Sequence, residues 1–145
     1  MLRQVALALI ITAVASVTAS AQSSTFSAAV IVDEAVKATA TLGQFTSSSA
    51  IDFNAEAVTL TIAGTNSFSY TFPAGSLEKG PLGSYTGKAT PGSQKIGILL
   101  HGLRGGHWVY SAAIEDFVPG SNSVTVTLTI GAQSESATVK PLVFP

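Results

Sequence analysis

The chain offers chemistry few footholds. It holds two histidines, His101 and His107, and no cysteine. Between them runs Gly102-Leu103-Arg104-Gly105-Gly106, so two imidazoles bracket a glycine-rich stretch with a guanidinium near its centre. If that stretch is a hairpin tip, the imidazoles face each other across the ladder with Cβ atoms about 5 Å apart. At that spacing His101 and His107 would ligate zinc or copper, with water or a third group completing the shell. The plainer reading is two exposed polar residues at a loop mouth, since a pair without thiolate or carboxylate binds metal weakly. Arg104 would grip an anionic or sugar group, or simply be a solvated charge at a tight turn.

Catalytic combinations are harder to assemble. A hydrolytic triad needs nucleophile, imidazole and carboxylate within hydrogen-bond reach. Glu115, the next acid after His107, lies eight residues along the same strand, roughly 26 Å at about 3.3 Å per residue. Asp33, Glu34, Asp52, Glu56 and Glu78 fall in or near turns, and no local spacing announces the carboxylate pair of a glycosidase. G-x-S-x-G, H-E-x-x-H and phosphate-binding loops do not occur. An enzyme is therefore the third-ranked reading, and the sequence implies no cofactor.

Aromatic residues raise sugar binding, where Trp and Tyr act as flat platforms. Trp108 and Tyr110 share a strand face with Ala112 and Ile114, and so continuous an apolar face predicts core. Phe68, Tyr70 and Phe72 read the same way. Tyr85, among glycines, is the aromatic expected at the surface, and it joins His101, Arg104 and His107 as a candidate ligand contact.

The elements that would position these residues are strands. Val58-Thr59-Leu60-Thr61-Ile62 alternates with period two, placing its aliphatic residues on one face and its threonines on the other. A turn at 64–66 leads to Ser67-Phe68-Ser69-Tyr70-Thr71-Phe72, stopped by Pro73, which predicts a hairpin. Val126-Thr127-Leu128-Thr129-Ile130 repeats the pentapeptide of 58–62 letter for letter. It too leads through a glycine turn into an alternating stretch, 135–140, before Pro141. Duplication and convergence both explain this. Ile96 to Leu100 and His107 to Ile114 form a third hairpin around the glycine tip. Residues 85–89, 26–32 and 36–42 supply further strands, although 28–38 also suits a helix by composition. The 47–49 serines read as loop. Eight or nine strands without a convincing helix predict an all-β fold. The expected architecture is an antiparallel two-sheet sandwich, immunoglobulin-like, with a small closed β-barrel as the alternative.

Composition bounds the rest. At 145 residues and 10% charged, with net charge −1 and scattered basic residues, the chain presents no basic face for nucleic acid. Arg3, the apolar run 5–17 and Ala19-Ser20-Ala21 read as a secretory signal peptide, residues 1–21, cleaved near Ala21. The apolar run is shorter than the about 20 residues a bilayer demands, so no membrane span is expected in the mature chain. Residues 22–145 then form one domain, periplasmic or extracellular, in which six basic residues oppose eight acidic ones. Few charges on the outer faces leave sheet edges little protected. The apolar segment 26–32, opening on Phe26 and closing on Val32, would pair within its own sandwich or add to a neighbour's sheet.

The stretch 36–140 resembles a β-rich module recurring in secreted bacterial proteins. The likeness lies in Val124-Thr125-Val126-Thr127-Leu128-Thr129-Ile130-Gly131, in Phe72-Pro73-Ala74-Gly75-Ser76, and in the lysine-bearing strand leading to Phe45. That resemblance implies an exported bacterial β-sandwich of unassigned role and carries over no functional residue. The expectation is thus a secreted, non-enzymatic β-sandwich with a structural, adhesive or binding role. A ligand- or metal-binding protein using the His101–His107 tip is the runner-up.

Overall fold

Alternation lets each strand bury one face while its backbone pairs sideways. The computed structural model describes residues 26–120 and 122–145. In chain order the strands are β1 (Phe26–Asp33), β2 (Ala38–Thr46), β3 (Val58–Ala63), β4 (Ser67–Phe72), β5 (Glu78–Lys79), β6 (Ser84–Ala89), β7 (Lys95–Gly102), β8 (His107–Glu115), β9 (Val124–Ile130), β10 (Gln133–Val139) and β11 (Leu142–Phe144). Helical structure among the described residues is confined to single 3-10 turns at Pro81–Gly83 and Arg104–Gly106. None of it is long and apolar enough to cross a membrane.

A seven-stranded sheet runs β11-β1-β2-β8-β7-β6-β5, and a four-stranded sheet runs β10-β9-β3-β4. Neither closes on itself, so the fold is the two-sheet sandwich and not the barrel. The large sheet turns inward Phe26, Val30, Val32, Phe45, Ile96, Ile98, Leu100, Tyr110 and Ile114, all buried. The small sheet answers with Val58, Leu60, Ile62, Phe68, Phe72, Val126 and Leu128. Together they form one contiguous core.

The two identical pentapeptides lie side by side. β3 pairs antiparallel with β9 in a register that sets Val58 against Ile130, Leu60 against Leu128 and Ile62 against Val126. A segment paired with its own copy in this way always sets its odd positions opposite odd positions. Every aliphatic residue therefore points inward and every threonine outward.

Three expectations change on contact with the structure. Residues 28–38 are strand, turn and strand, with no helix. Asp33 Oδ1 accepts the N–H groups of Ala35 and Val36, and Lys37 takes the left-handed conformation at φ 52°, which closes a tight turn. The segment 26–32 pairs within its own sandwich. β1 pairs with β2 along its whole length and takes β11 in parallel over 31–33, because its inward residues are themselves core. The strands number eleven. The two unforeseen ones are the short β5 and the terminal β11, which crosses to the large sheet after buried Pro141. The leader expected at 1–21 lies outside the described residues.

Candidate functional site

The register decides what the histidines can do. His101 on β7 stands opposite Val109 on β8 and Ser84 on β6. His107 begins β8 opposite Thr46 of β2, its Nδ1 3.3 Å from Thr46 Oγ1. The imidazoles therefore do not face each other. Both point outward from the large sheet but sit one diagonal step apart, where Cβ atoms are about 7 Å rather than about 5 Å distant. The reason is the tip itself. Leu103 N–H donates to the His107 carbonyl at 2.7 Å, so His107 lies opposite Leu103 and His101 pairs two residues further on, with Val109. Among the described residues no three His, Asp or Glu side chains gather where they would hold a metal ion. Arg104 is exposed at the apex of the tip.

The same end of the sandwich holds an open cleft of about 640 Å³. The 47–51 loop forms one wall and the glycine tip the other, with Tyr85, Trp108 and Lys79 between them. Its floor is aromatic. Tyr85 packs on Phe53 at 4.6 Å between ring centroids, and the Phe53 ring meets the edge of Trp108 at 5.5 Å. Trp108 stacks in turn on Phe45 at 6.2 Å. Tyr85, the aromatic expected at the surface, is thus half-buried with its ring packed on the core. Trp108 is half-buried too, and its position above Gly102 reflects the lack of a side chain there. A Cβ on Gly102 would come within 3.1 Å of the indole.

The walls are pinned by backbone bonds. Ser47 N–H donates to the Gly106 carbonyl at 2.8 Å, and Gly80 N–H to the Ser84 carbonyl at 2.8 Å. Gly106, at φ 76°, lies so close that a Cβ there would overlap the Ser47 carbonyl oxygen. Buried Ser47 donates its hydroxyl to the Ser49 carbonyl at 2.7 Å, and Gln133 Nε2 donates to the Thr46 carbonyl at 3.1 Å, tying the loop to the small sheet. Walls held this way need little ordering when a ligand enters.

Behind the 47–51 loop lies a second groove of about 610 Å³, bordered by Gln133 and by two carboxylates, Glu56 and Glu135. It lacks an aromatic floor. Of the residues singled out from sequence, the structure brings Tyr85 and the glycine tip into the first cleft and leaves His101, Arg104 and His107 off its lining. Sequence reasoning missed Lys79, the 47–49 serines and the cleft-facing side of Trp108. The serine run was the one legible signal, and it says loop without saying what the loop covers. Comparison with protein-family models, with curated proteins and with solved structures finds no match to this chain.

Proposed function

We propose that this chain is an exported, non-enzymatic β-sandwich binding module, carried by a cleaved leader to the periplasm or beyond. Its ligand site is the cleft between the 47–51 loop and the glycine tip, and its ligand class is a small polar molecule of sugar type. The observation that carries the reading is the pairing of half-buried Tyr85 and Trp108 with serine hydroxyls, backbone polar groups and one cation in a preformed cleft. About 640 Å³ falls in the range of small-ligand sites, roughly 300–1,000 Å³. Aromatic rings supply apolar area to the faces of a sugar ring, and the surrounding donors and acceptors fix its hydroxyls. Lys79 adds a preference for ligands bearing an acidic group.

The chain's only tryptophan lines this cleft, so its emission reports occupancy directly. Titration with a panel of neutral and acidic saccharides should give a saturable change with at least one of them. Tyr85→Ala should weaken that binding by about tenfold or more. Lys79→Ala should weaken acidic ligands selectively. A glycan array without signal, together with an unresponsive tryptophan, would remove the reading.

A further inference from the structure

Two leucines stand in solvent at the cleft end of the sandwich. Leu82 is 88% exposed, the most of any large apolar residue described, and Leu103 is 51% exposed. Leu82 also takes the left-handed conformation at φ 57°, where a branched side chain crowds its own backbone and glycine or asparagine is the usual occupant. The turn around it is pinned. Gly80 N–H donates to the Ser84 carbonyl at 2.8 Å, and Ser84 Oγ donates to the Pro81 carbonyl at 2.8 Å. A leucine is thus held where neither burial nor backbone geometry selects one, and strain kept in this way clusters at functional sites.

Both leucines belong to the rim of the cleft. Leu103 lines it, and Leu82 precedes Gly83, which lines it too. Counting on from the paired Ser84 and His101, Gly83 comes abreast of Gly102 and Leu82 abreast of Leu103. The two segments touch there, since an atom at the Cβ position of Gly83 would lie 3.9 Å from the Gly102 carbonyl oxygen. A ligand that extends out of the cleft on this side passes over the leucines. We propose, on the reading of the cleft as a saccharide site, that its ligand is a saccharide bearing an alkyl or acyl chain. The sugar fills the cleft, and the chain lies over Leu82 and Leu103.

Each methylene taken out of water favours binding about fourfold. Two leucines cover only the first few methylenes of a chain, so the gain is on the order of tenfold rather than thousands. The pinned turn holds Leu82 in place beforehand, which keeps the ordering cost of that contact small. The rest of the chain stays free, so a dissolved amphiphile and a lipid anchored in a bilayer can both present the same head and first methylenes.

Trp108 emission tests the cleft and the leucines separately when monomeric methyl and octyl glycosides of glucose, galactose, mannose and glucuronic acid are compared. At least one sugar should bind in both forms, the octyl form about tenfold or more tighter. Leu82→Gly relieves the left-handed strain. It should leave circular dichroism and the methyl affinity unchanged and remove most of the octyl advantage. Leu103→Ser should reduce that advantage as well, and keeps the test valid if the glycine variant loosens the turn. Phosphatidylcholine vesicles bearing a long-chain glycoside of the same sugar distinguish the sources. Co-sedimentation that Leu82→Gly abolishes assigns a membrane glycolipid, and binding of the octyl monomer alone assigns a dissolved amphiphile. Equal affinity for methyl and octyl forms would overturn the proposal while leaving the cleft a saccharide site. So would an octyl advantage that survives both Leu82→Gly and Leu103→Ser. No response to either form of any sugar would remove the saccharide site and the proposal together.

Discussion

Tyr110 shows how a single side chain is held by its surroundings. It stacks on Phe26 at 5.9 Å and lies over Gly43, where a Cβ would overlap the Ser27 carbonyl oxygen and come within 2.9 Å of the tyrosine ring. Gly43→Ala should therefore cost roughly 2–3 kcal/mol, measured by urea unfolding, because the backbone must shift to admit one methyl. Thr41 Oγ1 lies 2.9 Å from the Ala29 carbonyl and 3.0 Å from Tyr110 Oη. The threonine has one proton, and the carbonyl only accepts, so the phenol donates to Thr41. Burial raises the Tyr110 pKa far above the usual phenol value of about 10. The sign follows. The folded state keeps its proton where the unfolded state loses it, so this contribution is complete below pH about 10 and fades as pH rises beyond. Unfolding free energy should fall above pH about 10, and Tyr110→Phe should flatten that fall.

The strands show one residue type in two roles. On the small sheet, threonines and serines point outward and bond across the ladder: Thr59 to Thr71 at 2.7 Å, Thr127 to Ser136 at 2.8 Å, Thr129 to Ser134 at 2.9 Å. Water can replace each bond, so Thr127→Val should cost less than about 1 kcal/mol by urea unfolding. β2 turns Thr39 and Thr41 inward, 1% and 0% exposed. Thr39 donates to the Phe117 carbonyl at 2.6 Å, satisfying a backbone acceptor where the chain crosses between sheets. Thr41→Val keeps the shape but strands the Ala29 carbonyl and the Tyr110 hydroxyl without water, and should cost about 2–4 kcal/mol in the same assay. The two valine substitutions differ chiefly in whether water can replace the bonds they remove.

The whole molecule has three distinct surfaces. The small sheet shows solvent a face of hydroxyls, the outer side of the large sheet holds a small buried cluster of Ile31 and Leu42, and the loops at one end enclose the aromatic-floored cleft. Saccharide titrations followed by Trp108 emission should give the same affinity in Thr127→Val, because Thr127 lies on the hydroxyl face and not in the cleft. An affinity that changes in that variant would show the cleft and the hydroxyl face to be coupled.

The alternation in 58–72, 96–114 and 124–139 specified by itself the all-β class, the hairpins and most of the core, because a period of two needs only neighbours along the chain. It could not say that the two identical pentapeptides would be sheet neighbours, nor that Thr39 and Thr41 would turn inward. Those outcomes depend on which strands pair and on where a buried carbonyl needs a donor. The histidines are the clearest case. Symmetry about the glycine tip set them face to face, and one hydrogen bond from Leu103 moved the register and set them apart. The cleft was invisible for the same reason. Residues 47–51, Lys79, Tyr85 and Trp108 are far apart in sequence, and only closure of the sandwich end brings them together.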